Sequence, residues 1–151
     1  TYWPQLFLGL TFNYGLILGW TSVTNQINFV PTIFYLGAIF WTLGYDTIYG
    51  FQDIKDDEII GLKSTSIKFK KSPYLFLCIS YTLFFLSLIT IGYLMELNNI
   101  FYIFLILVFF QIFFFQINKF KIDDPINCLK IFQSNNHLGF IVTIGLILGK
   151  I

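Results

Sequence analysis

The chain has 151 residues, of which 56% are hydrophobic and 11% charged, against about 25% charged in an ordinary soluble domain. That composition excludes a water-soluble globule and indicates a protein of the lipid bilayer. A net charge of +1 from nine scattered lysines, with no arginine, excludes a nucleic-acid partner, because neutralising phosphates takes a clustered basic surface.

A bilayer core of about 30 Å is crossed at about 1.5 Å per residue, so a spanning helix takes roughly 20 mostly apolar residues. Five segments approach this, at about 4 to 22, 29 to 47, 73 to 94, 99 to 117 and 136 to 151, and they predict an all-α transmembrane helix bundle. Pro4, Pro31 and Pro73 each fall at a segment start, where a missing N–H leaves no intrahelical bond unmade. Asn13 lies inside the first span and is expected to bond across helices or line a cavity. GLILG occurs at 15 to 19 and again at 145 to 149, and small residues at that spacing let two helix backbones approach closely.

Lysine placement orients the bundle, since short cytoplasmic loops collect basic residues. Lys55, Lys63, Lys68, Lys70 and Lys71 occupy the loop at 48 to 72, and Lys119, Lys121 and Lys130 that at 118 to 135. Both loops are expected on the cytoplasmic side. The turns TSVTNQIN (21 to 28) and MELNN (95 to 99), with one charge between them, belong opposite, and Lys150 is the single exception. Within the second loop, Asp124-Pro125 reads as an N-cap and N1 proline before a short surface helix with Ile126, Leu129 and Phe132 at helical spacing. His137 has no second histidine or carboxylate beside it in sequence and reads as a hydrogen-bonded or interfacial residue. Cys78 and Cys128, fifty residues apart, suggest neither a disulfide framework nor a metal knuckle.

The stretch from 45 to 66, YDTIYGFQDIKDDEIIGLKSTS, stands apart. Of eight acidic residues in the chain, five fall within it: Asp46, Asp53, Asp56, Asp57 and Glu58. If the helix entered near residue 29 continues past Gly44, then Asp46, Tyr49, Gly50, Asp53 and Asp57 form one stripe on one face. Like charges at that spacing repel unless solvent separates them or a divalent cation bridges them. Mg²⁺ suits the second case, because it is commonly held by one or two carboxylates together with the phosphates of a substrate. Asp53-x-x-x-Asp57 fits that use, and Gly61-Leu62-Lys63-Ser64-Thr65 adds a turn, an ammonium and hydroxyls for a phosphate terminus. It is not a Walker A loop, whose preceding glycine spacing is absent. On charge pattern alone, 53 to 58 also reads as a solvated run between two spans.

YDTIYGFQDIKDDEIIGLKSTSIKF resembles the second aspartate-rich motif of the UbiA superfamily of intramembrane prenyltransferases, and most closely the branch acting on 4-hydroxybenzoate. PQLFLGLTFNYG (4 to 15) and DPINCLKIFQSNNHLG (124 to 139) echo other parts of that family. The resemblance implies a nine-helix bundle in which two such motifs face one cavity and help hold Mg²⁺ on a prenyl diphosphate. Five of the nine helices and only the second motif are here. With the first motif missing, the resemblance implies either the C-terminal part of a longer protein or a truncated product that could not complete its site; the chain also starts at Thr1 without a signal peptide's charged flank.

Carried over residue by residue, the resemblance makes Asp53 and Asp57 metal ligands, Asp46 and Asp56 supporting carboxylates, and Lys63 the cation that neutralises diphosphate, with Ser64 beside it. Tyr45 and Tyr49 then face an allylic cation, or else serve as interfacial belt residues. The implied reaction passes a polyprenyl group from polyprenyl diphosphate to 4-hydroxybenzoate in ubiquinone synthesis. The implied residence is a bacterial or mitochondrial inner membrane, with the site on the cytoplasmic or matrix side. Other aromatic or haem acceptors remain open within the superfamily. A transporter or channel subunit is the alternative from another class, but it would place ionisable residues near the midplane of several spans, and no span here has one.

The lysine count yields a direct check. A Lys70→Cys variant is expected to resist a membrane-impermeant thiol reagent in sealed right-side-out vesicles and to react in inverted ones; the reverse pattern would contradict the orientation.

Overall fold

The computed structural model describes residues 1–151, which form helices and no strand. In chain order these are α1 (Pro4–Phe12), α2 (Gly15–Thr24), α3 (Phe29–Gly50), α4 (Ile54–Ile59), α5 (Thr65–Lys68), α6 (Pro73–Leu94), α7 (Asn99–Phe109) running on as a π-helical segment (Phe110–Ile117), α8 (Pro125–Gln133) and α9 (Asn135–Lys150). Four continuous or nearly continuous stretches are long and apolar enough to cross a membrane: Pro4–Thr24, Pro73–Leu94, Asn99–Ile117 and Pro125–Lys150. Helix α3, with 22 residues, has the length for a fifth crossing but a more polar sequence, including Thr42, Asp46 and Thr47. It tolerates these because it is the central helix, packed on α1, α2, α6 and α8, and shows little of itself to lipid.

Short polar residues cap the starts of α3, α7 and α8. Asn28 and Asn98 accept hydrogen bonds from the N–H groups of Val30 (3.1 Å) and Ile100 (2.8 Å), and Asp124 accepts one from Asn127 (3.0 Å) ahead of Pro125. Asn98 also donates from Nδ2 to the Leu148 carbonyl (3.0 Å), tying the start of α7 to the end of α9. The exceptional Lys150 reaches the Met95 carbonyl (3.3 Å), so its ammonium is held at the end opposite the other lysines.

The first span is broken where a single helix is expected. Asn13 donates to its own upstream carbonyl at Gly9 (2.8 Å) and across to the Thr42 hydroxyl (2.8 Å), while Leu16 and Ile17 bond three residues back, to Asn13 (3.0 Å) and Tyr14 (3.1 Å). A side chain inserted into the ladder and a tightened turn together bend the helix there.

The principal packing is α3 against α6. A Cβ at Gly44 would lie 2.6 Å from the Tyr81 ring, and one at Gly37 would overlap the Ser87 side chain, so the two helices meet at a separation that only glycine allows. The GLILG repeats diverge in use. Gly145 and Gly149 of α9 sit under Phe104 and Phe101 of α7, with added Cβ atoms 2.8 and 2.6 Å from those side chains, as close packing requires. Gly15 and Gly19 of α2 have nothing within 4 Å, so that repeat does not mediate the tight packing its spacing predicts; it lines open space instead. Around this core, Phe7, Leu75, Leu86, Ile103 and Phe114 face outward, as a lipid-facing surface demands.

Gly44→Ala is therefore expected to lower stability in detergent by about 1–3 kcal/mol through overpacking, and Gly19→Ala to change it by less than about 0.5 kcal/mol. Thermal unfolding followed by circular dichroism checks this; equal melting of the two variants would contradict the close approach of α3 and α6.

Candidate functional site

Helix α3 does continue past Gly44, but it ends at Gly50, so the stripe expected from Asp46 to Asp57 is interrupted. The N–H groups of Phe51 and Gln52 bond only three residues back, to Ile48 (3.2 Å) and Tyr49 (2.9 Å). The cause is burial: Phe51 and Ile54 turn into the core, and the Phe51 ring packs 5.5 Å from that of Phe120. Turning them inward costs the helix its register. Past the break, the Asp53 carbonyl accepts from the N–H groups of both Asp56 and Asp57 (3.0 Å each), so Asp53 and Asp57 stay one turn apart on α4, while Asp46 belongs to a different helix. Asp53 and Asp56 are exposed; Asp46 and Asp57 are half-buried. Nowhere do three acidic, histidine or cysteine side chains converge closely enough to hold a metal ion by themselves.

Asp53 and Asp56 line a polar pocket of about 250 Å³ with Gln52, Lys55, Lys70 and Asp123. The Gln52 side-chain oxygen is buried there without a hydrogen-bond partner. Glu58 turns away and pairs with Lys70 (2.8 Å), an exposed bridge of the kind worth at most about 1 kcal/mol. Lys63 is exposed, its ammonium 5.7 Å from the centre of the Tyr2 ring.

The hydroxyls after Lys63 point inward rather than toward a ligand. Ser64 is buried, and its oxygen accepts from the Ile67 N–H (3.2 Å) as the N-cap of α5. Thr65 shares a 2.6 Å hydrogen bond with Thr47 of α3, and its N–H donates to Gln5 of α1 (3.1 Å). Ser66 donates to the Thr47 carbonyl (2.8 Å). The Ser and Thr residues, read from sequence as phosphate contacts, thus pin the loop beneath α3. That leaves the lysine of the same stretch free at the surface.

Beside the motif, a trough runs along α3 between α2 and α9. It is made of adjoining cavities that share residues: a mouth of about 260 Å³ bounded by Asn13, Trp41, Tyr45, Phe132 and Asn135, a middle of about 520 Å³ lined by Phe34, Trp41, Phe84 and Val142, and a far end of about 320 Å³ reaching Gly15, Gly19 and Trp20. Asn13 thus both bonds across helices and lines the trough. Tyr45 stands at the mouth, edge-on to Trp41 at 5.6 Å. Tyr49 lies against Phe132 of α8 at 4.7 Å and is 39% exposed, outside the lining. His137 is exposed. On α8 the apolar triplet does not form the buried face, which is made by Cys128 and Ile131 while Ile126 stays exposed.

Trp41, Asn135, Gln116 and Tyr81 were not singled out by the sequence, although hydrogen bonds join them beside the trough. The available signal was an amide, Gln116, in the otherwise apolar run FQIFFFQI. Polar groups inside a membrane need partners, and such an amide is informative on that ground.

The chain belongs to the UbiA prenyltransferase family, whose model matches residues 1–144. It is 36% identical to the mitochondrial 4-hydroxybenzoate polyprenyltransferase of Drosophila pseudoobscura pseudoobscura over all of this chain and 38% of that protein. It is 38% identical to the mitochondrial enzyme of the same name from Bos taurus, over all of this chain and 41% of that protein. With the 4-hydroxybenzoate octaprenyltransferase of Francisella tularensis subsp. novicida (strain U112), identity is 36% over 93% of this chain and 49% of that protein. The chain thus spans between about two-fifths and one half of the length of these curated relatives. No solved structure matches it.

The inward hydroxyls give a structural prediction. Thr65→Val removes the bond to Thr47 in a buried place and is expected to lower stability by about 1–3 kcal/mol, with easier proteolysis of the 60 to 70 loop; unchanged melting and cleavage would contradict the pinning role.

Proposed function

We propose that the protein to which this chain belongs transfers a polyprenyl group from polyprenyl diphosphate to the ring of 4-hydroxybenzoate, at the cytoplasmic or matrix face of an inner membrane. The observation that carries the reading is the position of the acidic motif: it leaves the end of α3, the same helix whose Phe34, Trp41 and Tyr45 line the trough. A donor with an anionic head and a long hydrocarbon tail suits that polarity, head among the charges and tail along the aromatic wall. The names of the relatives point the same way.

Mg²⁺ fits the residues present. The polar pocket offers oxygen donors from Asp53 and Asp56, with the unpaired Gln52 oxygen buried at its side, and Asp57 lies one turn from Asp53. That is too few carboxylates to enclose the ion, which matches the habit of Mg²⁺ of taking one or two carboxylates plus water and substrate phosphate. By the family resemblance Asp53 and Asp57 would hold it, with Asp46 and Asp56 in support, whereas the pocket itself is lined by Asp53 and Asp56 and not by Asp57. When bound, the ion neutralises charge on the departing diphosphate.

By the family resemblance Lys63 would add a cation for the diphosphate; it is exposed, and Lys55 and Lys70 are the lysines that line the polar pocket. The allylic C–O bond breaks with its electron pair passing to diphosphate, and the ring carbon beside the phenol hydroxyl attacks the carbon so exposed. Loss of the ring proton restores aromaticity. The apolar walls keep water from the same carbon, and stabilisation of the leaving group is the dominant contribution.

In the complete protein, Asp53→Asn and Asp57→Asn are each expected to reduce prenyl transfer about 10²-fold or more, and Lys63→Ala to weaken use of the donor while sparing the acceptor. Glu58→Gln, which loses only the exposed bridge to Lys70, is expected to be mild. Transfer measured against Mg²⁺ concentration decides: if the two Asn variants keep the parent's rate and Mg²⁺ dependence, the acidic turn is a solvated loop and the reading fails.

A further inference from the structure

Four polar side chains from four helical segments meet inside the apolar bundle. The Tyr81 hydroxyl on α6 donates to Gln116 Oε1 on the π-helical segment (2.6 Å), and Gln116 Nε2 donates to Asn135 Oδ1 at the start of α9 (3.1 Å). The same oxygen accepts from the indole Nε1 of Trp41 on α3 (2.8 Å). Tyr81 and Gln116 are fully buried and Asn135 is 7% exposed.

The direction of every bond is fixed. Asn135 Nδ2 donates to the carbonyls of Ile131 (3.3 Å) and Phe132 (3.0 Å) at the end of α8, so its oxygen is bound to face Gln116 and Trp41. Flipping the amide would set N–H groups against N–H groups, and deleting it would strand two buried donors, each at a desolvation cost of about 1–3 kcal/mol. The Trp41 ring is held on its other sides as well: it stacks on Phe84 at 5.3 Å and 11°, and at Gly139 a Cβ would come within 3.2 Å of it. One indole orientation satisfies all of these contacts. That indole borders both the polar mouth and the apolar middle of the trough.

We propose that Asn135, backed by Gln116 and Tyr81, is a positioning residue that holds Trp41 at the junction of mouth and trough, where the indole sets how deep the prenyl chain lies when its reactive carbon meets the acceptor. The proposal rests on the prenyl-transfer reading for its chemistry, but not for the hold on Trp41. Nothing in it requires Asn135 to touch substrate.

Two arms test it in the complete protein. In the first, Trp3→Phe and Trp20→Phe, together with replacement of any tryptophan outside residues 1–151, leave Trp41 as the only tryptophan, and its emission wavelength and anisotropy are measured without substrate. Asn135→Ala is expected to shift the emission to the red and lower the anisotropy, and Gln116→Met to do the same less strongly while keeping the volume filled. In the second, kcat and KM are measured for a two-isoprene and a long-chain diphosphate. Asn135→Ala and Trp41→Phe are each expected to lower kcat/KM for the long donor about 10- to 100-fold, as a misplacement on the ångström scale does. Both are expected to change the preference between the two donors, with acceptor KM nearly constant. Because one residue acts through the other, the double variant is expected to be no worse than the poorer single. Multiplying losses, an unchanged donor preference, or unchanged Trp41 emission in both Asn135→Ala and Gln116→Met would overturn the proposal. A parent that transfers no prenyl group would sink the reaction instead, while the emission arm would still decide whether Asn135 holds Trp41.

Discussion

The rest of the structure depends on the close approach of α3 to α6. Hydrophobic burial cannot draw two helices together in a membrane, because lipid tails are as apolar as leucine; van der Waals contact and interhelical hydrogen bonds must do it. Glycines at 37 and 44 let Ser87 and Tyr81 press directly on the α3 backbone. With α6 seated there, Tyr81 reaches Gln116 and Phe84 supports the indole of Trp41. The acidic turn depends on this arrangement too, because it is the continuation of α3 and inherits its position.

Much of the bundle was legible from hydrocarbon length and proline placement. The spans at 73 to 94 and 99 to 117 coincide with helical stretches, since a run of some 20 apolar residues bounded by proline or asparagine has few other conformations in lipid. The Asp124 cap was equally plain, because the capping oxygen lies within three residues of the N–H it serves. Length gave no warning of the bend at Asn13. That bend arises from a side chain bonding to Thr42, 29 positions away, and no local pattern announces such a partner.

The site was half legible for the same reason. Composition marked the acidic turn, but an unbroken helical stripe assumed that nothing would pull the chain aside, and burial of Phe51 against Phe120 does so. Ser64 and Thr65 look like phosphate ligands when only their chemistry is considered; the cap that Ser64 makes for α5 and the bonds of Thr65 to α1 and α3 put them to structural use. Trp41 was hidden in a different way. In a chain with 21% aromatic residues one more ring carries little information, and only the distant Asn135 distinguishes it.

The buried chain of hydrogen bonds from Tyr81 to Trp41 also bears on how the protein is assembled. Its members enter the bilayer in the order Trp41, Tyr81, Gln116 and Asn135, so the acceptor shared by Trp41 and Gln116 is the last to arrive. Until α9 is inserted, the Trp41 indole N–H and the Gln116 amide N–H lack their shared acceptor, while Gln116 Oε1 already has the Tyr81 hydroxyl. Arrival of Asn135 allows a single rotation of each helix, because any other leaves a donor stranded. The arrival of α9 thus acts as a latch that selects one register for the three segments that precede it in the chain.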